Sequence, residues 1–236
     1  MRVDIFSDVA CPWCYIGKRR FENALEAFPQ KDQVEIIWHS YQLDPSAPKV
    51  SDVNMNDLLA KKYGMSTQQA AAANNRVSDL AAGEGLEYHL ENAKYGNTFD
   101  AHRLIQLAAE RDVQDAVEER FFRAYFSEGE ALGDTETLVR LGSEAGLDPE
   151  EARAVLAGDD YADAVRQDIA EAREIGIQGV PFFILDEKYG ISGAQPTDLF
   201  KQALDQAWAE SHPKSKITTI AGADDASCEG DNCAIA

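Results

Sequence analysis

The sequence is short of three things, and each shortage removes a class of function. It has no apolar run near the ~20 residues that a membrane-spanning helix needs, so a helical membrane protein is not expected. Basic residues are few: 22 Lys and Arg stand against 42 Asp and Glu, a formal charge of −20. Nucleic acid is bound by clustered Lys and Arg, so this balance argues against it as a partner. The acidity itself favours a soluble, self-repelling protein and names no ligand. Cysteine is scarce too, with four in 236 residues, at positions 11, 14, 228 and 233. The first residues offer no basic head, long apolar stretch or small-residue cleavage site, and the expected location is the cytoplasm. In a reducing compartment such cysteines are more often catalytic or metal-bound than structural. Their grouping into two close pairs at opposite ends of the chain is the main clue.

What is present is enough for one substantial core with a large insertion. Residues 2–7 alternate and are rich in β-formers, which predicts a strand. A helix is expected from about Trp13 to Phe28, stopped by Pro29, and a second strand over 34–41. From Met55 to Gly176 the texture turns helical, with helices expected at 55–63, 67–82, 98–111, 113–127, 135–145, 149–157 and 160–175. Residues 86–90 interrupt them with an extended-looking pattern. Strand character returns at 180–186 and around Ile191, and Pro196 to Trp208 reads as a closing helix. This order describes an α/β protein: a thioredoxin-like fold with a large all-α helical insertion. The expected division is a discontinuous thioredoxin-like domain (1–50 and 177–212), a helical domain (51–176) and a flexible tail (213–236).

Cys11-Pro12-Trp13-Cys14 sits between the first strand and the first helix. At a helix N-terminus the dipole and the unpaired N–H groups favour a thiolate. Cys14, one turn later, is close enough to form a disulfide and is expected to be more buried. An attacking thiolate and a resolving thiol are the two roles that disulfide exchange requires. Pro12 costs no hydrogen bond in the first turn. Zinc ligation uses the same spacing, but the other two cysteines lie far away in the tail with a wider spacing, so no metal is expected. Trp13 is neutral and cannot hold a neighbouring thiolate as a cation would, which predicts a centre less oxidising than the strongest oxidants of this kind.

Gly179-Val180-Pro181-Phe182-Phe183 precedes a predicted strand. Alone, the proline reads as trans at a strand start. In thioredoxin-like proteins an X-Pro at this point is cis and packs on the cysteines. On that reading the Val180 backbone is left free to pair with an extended substrate.

Three stretches then carry a resemblance: Phe6 to Gly17, Asn97-Thr98-Phe99-Asp100-Ala101-His102-Arg103, and Gly176 to Phe183, with Ile191-Ser192-Gly193-Ala194-Gln195 following. Together they resemble the DsbA family, in particular its FrnE-like branch. The resemblance implies Cys11 as nucleophile, Cys14 as resolving cysteine and Pro181 as the cis-proline, with Pro12, Trp13 and Val180 contacting substrate. It also implies protein or small-molecule thiols and disulfides as partners, no bound cofactor, and glutathione as a candidate redox partner. Reductase, isomerase or oxidative-stress repair duty suits a cytoplasmic setting better than bulk oxidation. Related 2-hydroxychromene-2-carboxylate isomerases and kappa-class glutathione transferases typically carry Ser at the first cysteine position. A glutathione-dependent isomerase or transferase is therefore the alternative, and a redox-switched chaperone-like protein a third.

Asn97 and His102 read as a loop-ending residue and a packed core histidine, either of which could line a cleft. Lys18, Arg19 and Arg20 read as a solvated helix face. Cys228-Glu229-Gly230-Asp231-Asn232-Cys233 forms a second pair. It is either incidental or a shuttle that exchanges disulfides with Cys11 and Cys14; a linker of ~20 residues spans roughly 25 Å, enough to reach the first pair.

Overall fold

The computed structural model describes residues 1–213, so the Cys228–Cys233 pair lies outside the described residues. Alternation in the first strand explains how the sheet divides its two faces. In β1 (Arg2–Ser7), Val3 and Ile5 enter the main core, whereas Phe6 joins Ala172 and Ile177 on the opposite face. β1 pairs in parallel with β2 (Glu35–Ser40) and antiparallel with β3 (Phe182–Leu185), which pairs antiparallel with β4 (Tyr189–Ser192). The resulting order is β2-β1-β3-β4. The parallel step from β1 to β2 needs a crossover, supplied by α1 (Pro12–Glu26). α9 (Thr197–Ser211) lies beside α1 on that face, where Phe21, Phe183 and Phe200 meet edge-on or tilted with centroids 4.7–5.8 Å apart.

Between β2 and β3 run α2 (Met55–Tyr63), α3 (Thr67–Gly83), α4 (Phe99–Glu110), α5 (Gln114–Arg123), α6 (Thr135–Glu144), α7 (Pro149–Ala157) and α8 (Ala162–Ile175). Their ends are written in the sequence. Asp148 accepts hydrogen bonds from the N–H groups of Glu150 and Glu151 while Pro149 takes the first helical position. Ser66 and Gln69 close a reciprocal capping box on α3. Gly176, at φ +88°, ends α8 in the left-handed conformation that favours glycine. α4 is the axis of this region, packed on α5, α6, α7 and α8. Its buried Arg103 donates to the carbonyls of Asp160 (2.9 Å), Gly158 (2.7 Å) and Val155 and to Asp100, filling the polar end of α7. No helix among the described residues is long and apolar enough to cross a membrane.

Residues 86–90 interrupt the helices as expected: Leu86, Tyr88 and Leu90 are buried, and the His89 N–H bonds to the Phe126 carbonyl. One expectation needs correction, since the helix expected over 113–127 is not uniform. α5 ends at Arg123 and a π-helical turn, Ala124–Glu128, follows, closed by Gly129 at φ +68°. The extra residue per turn keeps both Tyr125 and Phe126 buried.

Candidate active site

The site is built where β1 gives way to α1. The Cys11 N–H turns back onto the Asp8 carbonyl (2.8 Å), and the Asp8 carboxylate accepts from the N–H groups of Ala10 (3.2 Å) and Leu43 (2.8 Å). One short side chain thereby ties the loop after β2 to the cysteine motif. Cys11 is the N-cap of α1 with extended backbone, and Pro12 occupies the first helical position. Both cysteines are free thiols, Cys11 4% and Cys14 1% exposed.

The Val180–Pro181 peptide is cis. It brings the Val180 carbonyl against the motif, where it accepts a hydrogen bond from the Cys11 thiol at 3.5 Å. A substrate strand pairing with the Val180 carbonyl would displace this thiol contact. Glycine at position 17 lets the proline approach α1, since a Cβ there would come within 2.9 Å of the Pro181 ring.

Above Cys11 lies an open cleft of about 410 Å³. Pro12, Trp13 and Val180 form one side, with Leu58, Val77 and Phe126 from the helical region on the other. Trp13 is 39% exposed, a large apolar surface at the rim. Asn97 and His102, weighed from sequence as cleft residues, do not line it. Asn97 turns toward the loop after β2, accepting from Phe99 N–H (2.9 Å) and donating to the Ala47 carbonyl (3.2 Å), and Thr98 faces the cleft in its place. The helical region is fastened to the motif by Tyr88, whose hydroxyl donates to the Pro12 carbonyl (2.8 Å), and by Tyr15, stacked on Phe122 at 4.9 Å.

Beneath the cysteines lies a sealed polar layer. The Ser7 hydroxyl donates to Glu118 Oε1 at 2.8 Å, and both residues are 1% exposed. His102 Nε2 stops 3.5 Å from Asp8 Oδ1. Burial raises the Glu118 carboxyl to about 7, against the opposing pull of His102, Ser7 and Lys18. Burial also pushes the Cys14 thiol well above its ordinary range, and neighbouring Cys11 adds to this, while the Asp8 backbone and the Ser7 hydroxyl favour its thiolate.

Lys18 departs from its expected place on a solvated face. It is 2% exposed and meets Glu22, Glu119 (2.9 Å) and Asp115 (3.3 Å). Its position one turn past Cys14 turns it inward under α5, where three carboxylates offset its desolvation. Arg19 likewise pairs with Glu119 (2.7 Å), and Arg20 with Glu84 (2.6 Å). On the far side of the sheet His39 bridges Asp4 (2.7 Å) and Asp168 (3.1 Å). His39, Asp168 and Glu171 are spaced for a metal ion, but both ring nitrogens of His39 already face carboxylates.

Ser7, Asp8, Tyr88 and Glu118 were not singled out from the sequence. A signal for Glu118 existed: it lies on the same helical stripe as Val117, Phe121 and Phe122, an acid among residues that must be buried.

Residues 2–205 match the DSBA-like thioredoxin domain. The chain is similar to protein YwbO of Bacillus subtilis, 30% identical over 207 residues that span 86% of this chain and 96% of that protein. It is 48% identical to a probable DsbA oxidoreductase from Streptomyces coelicolor, whose crystal structure superimposes with a TM-score of 0.86 over 98% of this chain and all of the other. The fold is shared with the cytosolic disulfide reductase DsbM from Pseudomonas aeruginosa with GSH, at 16% identity and a TM-score of 0.61, covering 87% of this chain and 98% of that one. The chain thus belongs to the family of DSBA-like thioredoxin domains, a family of thiol–disulfide oxidoreductases.

Proposed function

We propose that the protein exchanges disulfides through a mixed disulfide on Cys11 that Cys14 resolves. The observation that carries this reading is the pairing of Cys11, capping α1 and facing the Val180 carbonyl at the base of an open cleft, with Cys14 sealed one turn below. The Cys11 thiolate attacks one sulfur of a substrate disulfide, whose other sulfur leaves as a thiolate and is protonated. Cys14 then attacks the Cys11 sulfur and releases the second substrate thiol, which leaves a Cys11–Cys14 disulfide. A dithiol or two glutathione molecules reduce that disulfide and complete the cycle; a GSH-bound relative of the same fold supports glutathione as the donor.

Trp13 and the apolar far wall suit an unfolded peptide or a small apolar disulfide. Under this reading isomerisation uses the same Cys11 intermediate, released before Cys14 acts. In a cytoplasmic setting the duty is reduction or repair of oxidised thiols. Cys228 and Cys233, outside the described residues, pass electrons to or from the first pair.

The test is insulin reduction and refolding of scrambled ribonuclease with wild type, Cys11→Ser and Cys14→Ser. Both activities vanish in Cys11→Ser, and Cys14→Ser accumulates a covalent substrate adduct. Glutathione-dependent turnover that survives Cys11→Ser points to the isomerase or transferase class instead.

A further inference from the structure

Two hydroxyls in the wall of the cleft have no partner. Thr98 and Tyr125 both line the space above Cys11, and they are only 5% and 4% exposed. Among the described residues no hydrogen bond engages either side chain, yet neither oxygen is sealed in as the orphaned His102 Nε2 is. Each therefore keeps a face to the cleft. Thr98 is the N-cap of α4, where a threonine ordinarily accepts from the first helical N–H groups. Here Asn97 accepts from the Phe99 N–H at 2.9 Å, and the Thr98 hydroxyl is released. Tyr125 lies in the π-helical turn after α5, a distortion frequent at functional sites. Nearly buried hydroxyls without partners are rare and unfavourable, and Val and Phe would fill the same volumes without that cost.

We propose that the Thr98 and Tyr125 hydroxyls donate hydrogen bonds to backbone carbonyls of a polypeptide substrate held at Cys11. The proposal rests on the exchange reading above and names the substrate class of that site. The two hydroxyls act in binding and take no part in the sulfur chemistry. A chain on either side of a substrate cysteine offers a carbonyl at every residue. A peptide disulfide thus satisfies a wall that a small alkyl disulfide leaves unsatisfied. The apolar remainder of the cleft, Met55, Leu58, Leu59 and Val77, takes a neighbouring side chain.

The charges around this wall favour a neutral acceptor over an ion. Asp8 and Asp44 line the same cleft, and Lys62 is the one basic residue in its lining. An anionic disulfide would meet two carboxylates against a single ammonium. A cationic group finds its acceptors already engaged. Asp8 accepts from the N–H groups of Ala10 and Leu43, and Asp44 from Ser46 and from the Tyr95 hydroxyl at 2.6 Å. The Ser46 and Tyr95 bonds hold the Asp44 carboxyl below its usual range, and Lys62 adds to this. Burial pushes the Tyr125 phenol above its ordinary range, so it remains a neutral donor.

The full-length reduced chain, with Cys228→Ser and Cys233→Ser to silence the tail thiols, is mixed with either of two neutral disulfides. One is the disulfide-linked dimer of acetyl-Gly-Gly-Cys-Gly-Gly-amide, and the other is dimethyl disulfide, which has no carbonyl. Oxidation of Cys11 and Cys14 is followed by acid quenching, alkylation and mass spectrometry. The readout is the rate constant for the peptide divided by that for dimethyl disulfide. In Y125F and in T98V this ratio falls roughly three- to tenfold, the effect of one neutral hydrogen bond. Tm equals the parent's or rises, because the lost hydroxyl had no partner in the free protein. A ratio within about 1.5-fold of the parent's in either variant, less than a hydrogen bond supplies, overturns the proposal. So does a fall of several degrees in Tm, which would give the hydroxyl a structural duty instead. Oxidation of the peptide's thiol partner that persists in C11S overturns the exchange reading itself, whatever the ratio does.

Discussion

Gly17 and Pro181 touch across the active site, so closely that a Cβ on residue 17 would stand 2.9 Å from Pro181 Cγ and 3.5 Å from the Ala194 backbone. A proline ring cannot swing aside as a long side chain can. Gly17→Ala therefore forces Pro181 and the Val180 carbonyl away from Cys11. The expected cost is about 1–3 kcal/mol, as for other overpacked cores, seen as a fall of several degrees in Tm by calorimetry. Insulin reduction should fall along with it, whereas Gly83→Ala, with open space around its Cβ, leaves both unchanged.

Burial of Lys18 makes a second prediction. Lys18→Met leaves Glu22, Asp115 and Glu119 facing an apolar tip. Because these partners remain 29–56% exposed, water offsets part of the loss. The expected destabilisation is about 1–3 kcal/mol, below that for fully enclosed pairs. Chemical denaturation measures it, and a variant as stable as wild type would show that the ion cluster contributes nothing.

His39 makes stability depend on pH in a known direction. Burial opposes its charge, but Asp168 and Asp4 outweigh burial and raise it to about 9. A group with a raised folded pKa contributes fully below its unfolded value, near ~6.5, and loses that contribution as pH climbs through the folded one. Stability should thus decline by about 2 kcal/mol between roughly pH 6.5 and 9. His39→Gln, unable to titrate, should flatten that slope in denaturant melts. A slope that stays in His39→Gln assigns it to other groups.

How much of this was open to reading from the sequence differs from element to element. α2 and α7 were placed to the residue because their ends carry chemical marks: Tyr63 followed by Gly64, and Asp148-Pro149 with Gly158. The motif at Cys11 was legible because its parts are consecutive. Leu86, Tyr88 and Leu90 were legible as an alternating, half-buried break between helices, because alternation reports an extended chain with one face covered. Ser7 and Glu118 were invisible as a pair: 111 residues separate them, and no local pattern encodes a contact across that distance. Lys18 misled for a related reason, since the carboxylates that draw it inward lie mostly on α5.

The neutrality of Trp13 bears on the redox poise. Without a cationic residue between the cysteines, the Cys11–Cys14 couple should lie well below about −150 mV, clear of the strongest oxidants of this chemistry. Equilibration against glutathione buffers reads the value directly. A potential above that mark would mean that another group supplies the missing stabilisation.

The tail pair gives the last prediction. If Cys228 and Cys233 relay electrons, Cys228→Ser/Cys233→Ser slows turnover with a protein substrate or with one reductant while the isolated Cys11–Cys14 couple keeps its potential. Unchanged kinetics with every reductant and substrate would remove the relay.

The pairing of β1 with β3 joins residues about 180 positions apart, with the whole helical region between them. During synthesis the two thiols leave the ribosome long before Val180 exists to meet them. Until the late strand slots in beside the first, the young chain carries an exposed dithiol without its carbonyl partner. Long-range pairing of this kind is slow, so this interval is when the cysteines are most open to adventitious oxidation. A reducing environment at the site of synthesis would therefore protect the enzyme before it can act on anything else.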